Sequence, residues 1–345
     1  VAVFNHPSYD AHEQVVFCRD EESGLKAIIA VHNTHLGPAF GGCRMWNYHS
    51  DDEALTDVLR LSKGMTYKNA LAGLAMGGGK AVIIADPAHM PDRAALFRAF
   101  GRFVNKLGGS YYSAEDVGTS PADIKIASEE TPFVAGLEGK SGDPSPFTAL
   151  GTYLGIKAAV KHKLSRDSLQ GLKVAVQGIG HVGYHLCRHL HEDGAELILT
   201  DIHPQSLAQV ASEFNAITVA PQAIYSQDVD VYAPCALGAT LNDTTLPLLK
   251  AAIVAGCANN QLAEARHGEQ LKQMGVLYAP DYVINAGGII NVSFETDYDM
   301  AKATAKVEQI YQTLLTIFRE ADAQNRPTAE IADEMARKII NGQKR

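Results

Sequence analysis

The stretch LKVAVQGIGHVGYHLCRHLHEDGAELILTD, Leu172 to Asp201, decides how this chain is read. An apolar run, LKVAVQ, leads into glycines at 178, 180 and 183. A helical pattern, YHLCRHLHEDG, then ends at Gly194, and a second apolar run closes on an aspartate. Strand, turn, helix and strand in about 30 residues form the unit a parallel sheet requires, because parallel neighbours need a crossover. Gly178-Ile179-Gly180-His181-Val182-Gly183 fits G-x-G-x-x-G, and Asp201 lies 23 positions after Gly178, close to the ~20 of the dinucleotide fingerprint. Such glycines let backbone approach a pyrophosphate at the positive end of a helix. The Asp201 carboxylate would accept ribose hydroxyls and repel a 2′-phosphate, which favours NAD over NADP. The bland alternative is a glycine turn that serves only tight packing, with Asp201 solvated.

Beyond this unit, further apolar runs follow at DVDVYAPCAL, AAIVAGCANN and GVLYAP, and the C-terminal stretch from KATAKVEQIYQTLLTIF is amphipathic and helical. Before it, GLEGKSGDPSPFTALG, residues 136–151, reads as a domain junction or hinge. The first half shows strand-like EQVVFCRD and LKAIIAVHN, and a Gly/Pro turn at LGPAFGGCRMW. A helix capped by Ser50 runs to about Gly73, AVIIADP is a short strand, and RAALFRAFGRFVNKLGG is a second helix. The fold class is therefore α/β with two domains, the second of Rossmann type, and a cleft between them.

A chain of 345 residues, 46% hydrophobic and 20% charged, is an ordinary globular one. The net charge of -9 argues against a nucleic-acid or anionic-membrane surface. No uninterrupted apolar run approaches the ~20 residues that cross a bilayer and no secretory signal is visible, so a cytoplasmic location is expected. Cys18, Cys43, Cys187, Cys235 and Cys257 have no zinc spacing, and they read as reduced, buried packing residues; no metal is expected.

One stretch of the first half asks for chemistry: GLAMGGGKAVI, Gly73 to Ile83. A phosphate loop would need glycine where Leu74 stands and a hydroxyl where Ala81 stands, so that template fails. Lys68, Lys80 and Asp116, in YYSAEDVGTSP, all fall at the ends of elements, where α/β sites form. One lysine could pair with a substrate carboxylate. A second, its pKa lowered by burial and a like charge, could activate water, and the aspartate could move protons to and from a nitrogen. Glycines 77 to 79 would let backbone approach the substrate. Exposed lysines and a turn-capping aspartate remain the alternative on these residues alone.

Taken together, LGPAFGGCRMW, GMTYKNALAGLAMGGGKAVI, YYSAEDVG, VAVQGIGHVGYHLCRHLHEDGA, VYAPCALGA, ANNQL and YAPDYVINAGGIINV resemble the amino-acid (Glu/Leu/Phe/Val) dehydrogenases. The likeness is nearest to the leucine branch, with the phenylalanine and valine branches close, and it runs in order over nearly the whole chain. It implies a substrate-binding and oligomerisation domain over 1–136, a Rossmann domain over 137–324, and C-terminal helices, about 325–345, packing back on the first. The implied reaction is reversible oxidative deamination of a branched-chain L-amino acid to the 2-oxo acid, ammonia and NADH, in a homo-oligomer. By motif, Lys68 would bind the substrate carboxylate, Lys80 would activate water and Asp116 would transfer protons. Phe40, Gly41, Gly42, Met65, Ala114, Ile289 and Val292 would line the substrate. Gly178, Gly180, His181, Val182, Gly183, Asp201, Asn260, Thr148 and Asn285 would hold the cofactor. Phe40 stands where that branch carries leucine, which leaves an aromatic substrate as the alternative; a non-catalytic NAD-binding homologue is the other.

Overall fold

Two sheets carry the chain, one mixed and one wholly parallel. They are seen in a computed structural model whose described residues are 3–137, 142–236 and 238–342. One unit comprises Val1–Gly142, Val292–Tyr298 and Ala336–Arg345; the other comprises Asp143–Asn291 and Asp299–Met335. The division falls inside the Gly/Pro/Ser-rich stretch, of which residues 138–141 lie outside the described ones. The chain rejoins the first unit at Ala336, where Arg337 donates to the Tyr67 hydroxyl at 2.9 Å.

In the first unit run β1 (Gln14–Asp20), β2 (Leu25–Asn33), β3 (Ala39–Trp46), α1 (Asp51–Leu71), β4 (Gly77–Ile84), α2 (Arg93–Lys106), β5 (Tyr111–Glu115) and α3 (Pro121–Ala127). The sheet order is β1-β2-β4-β3-β5, with β3 parallel to both β4 and β5. Successive residues of a strand face opposite ways. Ile28 and Val82 accordingly meet Val58 and Leu59 of α1, while Ile29 and Ile83 meet Leu96, Phe97 and Ile124 of α2 and α3. Ser50 caps α1 by accepting the Glu53 N–H at 3.1 Å. Ser120 and Asp123 form a reciprocal capping box on α3.

The turn expected at LGPAFGGCRMW is present at its Leu36-Gly37-Pro38 start, where the Gly37 N–H donates to the Thr34 carbonyl at 3.1 Å, and the rest of the stretch is the strand β3. Its two glycines are not turn formers here; they are close-approach positions inside a strand. A Cβ on Gly41 would lie 1.9 Å from the Gly79 carbonyl oxygen, and one on Gly42 would lie 2.3 Å from that of Glu115.

The second unit runs α4 (Ser145–Leu164), β6 (Lys173–Gln177), α5 (His181–Glu192), β7 (Glu196–Thr200), α6 (Pro204–Glu213), β8 (Ile217–Thr218), β9 (Val231–Pro234), β10 (Ile253–Val254), α7 (Arg266–Gln273), β11 (Leu277–Tyr278) and α8 (Asp281–Ile284). Then come α9 (Gly287–Ser293), α10 (Met300–Gln324) and α11 (Thr328–Gly342), of which α9 and α11 end in residues grouped with the first unit. The order β11-β10-β9-β6-β7-β8 places the reversal of winding between β6 and β9. Ligands of open α/β sheets bind beyond the strand ends at that point. Val174, Ala175 and Val176 are all fully buried, as a strand covered on both faces must be. No helix among the described residues is long and apolar enough to cross a membrane.

Beside α1 the first unit buries two histidines with ring centroids 4.7 Å apart. His12 Nε2 meets the Leu59 carbonyl and Ser62 Oγ at 3.0 Å, and His32 Nδ1 meets Thr66 Oγ1 at 2.7 Å. Burial first, then the neighbouring His12, pushes the His32 imidazole down to about 4; Asp10 opposes this and Lys63 adds to it. Because the folded value lies below the unfolded one, the unfolded chain takes up its proton first as pH falls. Stability should therefore hold above pH ~6.5 and drop by about 3 kcal/mol on approaching pH ~4. His32→Gln should flatten that slope, as read from denaturant midpoints across the window. An unchanged slope would place the acid sensitivity elsewhere.

Candidate active site

Helix α1 carries Lys68 and strand β4 carries Lys80, and the two elements pack directly on each other. Thr66 of α1 lies directly on Gly78 of β4, where a Cβ would come within 2.1 Å of the Thr66 nitrogen and Oγ1. Lys68 and Lys80 each stand two residues beyond that contact, Lys68 half-buried in the last turn of α1 and Lys80 6% exposed within β4. Asn69 Nδ2 ties the same helix end to the Gly77 carbonyl at 2.6 Å. The other two glycines serve packing as well. A Cβ on Gly77 would meet the Asn33 carbonyl oxygen at 2.0 Å, and one on Gly79 would meet the Tyr111 ring at 2.7 Å. The three glycines before Lys80 thus answer to the domain's own contacts.

Lys80 shares the sheet face of Val82, and its Nζ lies 3.0 Å from Asp116 Oδ2. Arg44 Nε donates to the same oxygen at 3.0 Å. Arg44 Nη1 reaches Asp57 Oδ2 at 3.0 Å, and that oxygen also accepts the Tyr48 hydroxyl at 2.6 Å. The result is a row of alternating charge, Asp57, Arg44, Asp116 and Lys80, with each side chain a quarter exposed or less. Arg44, two positions after Gly41-Gly42, was not singled out from sequence; its signal was a guanidinium in an otherwise apolar strand.

Burial would raise the Asp116 carboxyl, but the charges and hydrogen bonds of Lys80 and Arg44 outweigh it and hold the group down to about 2. Both cations occupy Oδ2, so Oδ1 receives no hydrogen bond from the described residues. The Asp116 N–H donates to Thr119 Oγ1 at 2.9 Å, which fixes the carboxylate at the end of β5. Phe40 is buried on β3, and register puts Phe40 beside Gly78, Gly41 beside Ser113 and Gly42 beside Ala114. Met65 lies 3.2 Å from the Cβ position of Gly41. Of the remaining expected pocket residues, Val292 belongs to the first unit and Ile289 to the second.

In the second unit, Gly178 has φ +100°, a conformation that favours glycine, and its Cβ position is filled by Ala236 at 2.8 Å. A Cβ on Gly183 would lie 2.1 Å from the Gly178 carbonyl oxygen, whereas the Cβ position of Gly180 is open. His181 and Val182 begin α5, so the first amides of that helix lie at the turn. Asp201 Oδ2 accepts the Ile179 N–H at 2.6 Å and Oδ1 accepts the His203 N–H at 2.8 Å. The acidic residue thus braces the glycine turn, and its remaining lone pairs are available to a ribose. Asn285 Nδ2 donates to the Cys257 carbonyl at 3.1 Å and to Asn259 Oδ1 at 2.7 Å, leaving its own Oδ1 buried without a partner. Such an orphaned acceptor suits a carboxamide donor. Asn260 is exposed with φ +51°, and Thr148 Oγ1 donates to the Pro144 carbonyl on α4 at 3.1 Å. These residues fit a dinucleotide.

A lysine–carboxylate pair in one α/β unit and a glycine-turn dinucleotide site in the other define a dinucleotide-dependent oxidoreductase. Models of the Glu/Leu/Phe/Val dehydrogenase dimerisation domain and of Glutamate/Leucine/Phenylalanine/Valine dehydrogenase match residues 12–133 and 197–341. Leucine dehydrogenase of Geobacillus stearothermophilus is 56% identical over 96% of this chain and 91% of its own. L-tryptophan dehydrogenase of Nostoc punctiforme is 51% identical over 97% and 95%. A crystal structure of the Nostoc enzyme superposes with a TM-score of 0.84 over 96% of each chain, at 49% identity. The chain belongs to the Glu/Leu/Phe/Val dehydrogenase family and is an amino-acid dehydrogenase of the leucine-dehydrogenase-like group. Its chemistry is NAD(P)-dependent oxidative deamination.

Proposed function

We propose that the enzyme is an NAD-dependent leucine dehydrogenase acting on leucine, valine and isoleucine, with Lys80 and Asp116 as its proton-handling pair. The observation that carries the mechanism is the 3.0 Å contact between Lys80 Nζ and Asp116 Oδ2, with Oδ1 receiving no hydrogen bond from the described residues. In this reading Lys68 holds the substrate carboxylate as a point charge. Asp116 Oδ1 takes a proton from the substrate ammonium, freeing the nitrogen lone pair. A dinucleotide held by the Gly178 turn and Asp201 would supply the hydride acceptor for the α-carbon. Lys80 draws a proton from water, which attacks the imine carbon; collapse with proton transfer to nitrogen releases ammonia and the 2-oxo acid. Once Lys80 has lost its charge, the largest influence lowering Asp116 is gone, so the carboxylate becomes a better base as the lysine becomes neutral.

Leucine dehydrogenases at 53–56% identity support the aliphatic substrate, and the small Ala114 agrees with it. Asp201 supports NAD, because a 2′-phosphate would meet its negative charge. A homo-oligomer belongs to this reading, since the first family model describes a dimerisation domain. The free cysteines accord with a reducing, cytoplasmic compartment. The relationship to a tryptophan dehydrogenase, with the bulky Phe40 in the expected pocket, favours an aromatic substrate as the second reading.

The test is reduced-cofactor formation over all L-amino acids, with NAD and then NADP. Leucine, valine and isoleucine should lead, within ~1–3 kcal/mol of one another, because a hydrophobic pocket discriminates one methylene by no more. Preference for tryptophan or phenylalanine would sink the aliphatic reading and keep the mechanism. Asp201→Ala should weaken NAD binding and narrow the preference for NAD; unchanged preference would remove the ribose role.

A further inference from the structure

Three of the cysteines, Cys18, Cys43 and Cys187, are buried, as expected from sequence, but Cys235 and Cys257 are partly exposed. Cys235 follows directly on β9, at the reversal of winding, and Cys257 lies three residues after the neighbouring β10. Cys235 comes immediately after β9, and its N–H donates to the Gln177 carbonyl at 2.7 Å, at the end of β6. Its side chain lies 3.9 Å from the Cβ position of Gly183, and its neighbour Ala236 lies on Gly178, so Cys235 stands beside the dinucleotide turn. Cys257 follows β10, the strand paired with β9 on the other side.

The register of these two strands brings the cysteines together. Ile253 pairs with Val231 and Val254 with Tyr232, which carries the two chains side by side toward Cys257 and Cys235, whose side chains are in hydrogen-bonding contact. The next rung, Ala258 N–H to the Pro234 carbonyl at 2.9 Å, comes one residue late, so the chain bows outward at Gly256-Cys257. Gly256 permits this, because a Cβ there would lie 2.3 Å from the Pro234 carbonyl oxygen. A side-chain contact such as that between the two cysteines is the approach that disulfide closure requires.

We propose that Cys235 and Cys257 are a redox-modification site, closing into a reversible disulfide that shuts the dinucleotide crevice. The proposal rests on the reading of that crevice as the NAD site. Contact with Cys235, then burial, pushes the Cys257 thiol well up, so Cys257 holds its proton. A peroxide converts the Cys235 thiol to sulfenic acid, releasing one water. Cys257 sulfur then attacks that sulfur and a second water leaves, carrying the Cys257 proton. Two thiols are oxidised by two electrons and one peroxide is reduced. Closure pulls the Cys257 backbone, whose carbonyl holds Asn285, toward the glycine turn. The crosslink thereby disturbs Asn285, whose Oδ1 is a buried acceptor without a partner among the described residues, and the wall beside Gly178.

The experiment treats the full-length enzyme with hydrogen peroxide, with and without NAD, and follows turnover, NAD binding, thiol count and crosslinked peptides. The protein should lose two of its five thiols, yield a Cys235–Cys257 crosslinked peptide and lose most of its NAD binding, and dithiothreitol should restore all three. NAD present beforehand should protect. Cys257→Ser should keep its basal activity, form no crosslink and show no dithiothreitol-reversible loss; Cys187→Ser should behave as wild type. Absence of the crosslink, or a crosslinked enzyme that still binds NAD, overturns the proposal. Failure of the reduced enzyme to bind NAD overturns instead the site reading beneath it.

Discussion

Replacing Lys80 by alanine should lower kcat for the preferred amino acid by about 10²–10⁴-fold while leaving the enzyme folded. Lys80 is 6% exposed and is held on β4 by the sheet, so its amine is presented in one place. Folding should survive because Arg44 stays on Asp116 Oδ2 at 3.0 Å and the carboxylate is not left buried alone. The same substitution removes the largest influence holding Asp116 down to about 2, so its protonation should move upward and carry the acid limb of the pH–rate profile with it. Asp116→Asn should cost a comparable factor. The double variant should be little worse than the worse single one, since two members of one proton-handling unit do not contribute additively. The check is kcat and KM against pH for all three, with circular dichroism for folding. Turnover near wild type in both single variants would eliminate the pair as the catalytic centre. Arg44→Met should shift the pH profile in the same upward direction with a smaller loss of kcat, as befits a positioning residue.

The second large effect is on stability. Gly78→Ala should destabilise the first unit by about 3 kcal/mol or more, because the added methyl group would lie 2.1 Å from the Thr66 backbone nitrogen, which cannot swing aside as a side chain could. Relief requires α1 to lift off β4, and Lys68 would lift with it. Gly64→Ala in the same helix is the control. Nothing lies within 4 Å of its Cβ position, and a helix-interior glycine costs about 1 kcal/mol against alanine, so that change should stabilise by that amount. Denaturant midpoints of the two variants should therefore move in opposite directions. Equal tolerance of both would mean that α1 does not rest on β4 as described.

Much of the second unit was legible in one line of sequence. Strand, glycine turn, helix and acidic end follow from local rules: a left-handed φ at Gly178, a methyl-free contact at Gly183, an apolar run between buried faces. These depend on residues near one another in the chain, so a pattern read by period and spacing reaches them. The capped helices of the first unit were legible for the same reason, Ser50 and Ser120 each bonding three residues ahead.

What the sequence by itself determined, then, was the α/β class, the dinucleotide turn and the short list of lysines and aspartates. Only the tertiary structure decided what those groups touch. The glycines before Lys80 are adjacent in sequence, yet their reasons lie at Asn33, Thr66 and Tyr111, on three other elements. The strand β3 reads as a turn until β4 and β5 press against its glycines. Arg44 becomes Asp116's second cation only when residues 72 positions apart meet at one oxygen. Cys235 and Cys257 become neighbours only through the register of two parallel strands. Local sequence fixes backbone preferences within a few residues, whereas charge pairing and close packing depend on distances that only the folded chain sets.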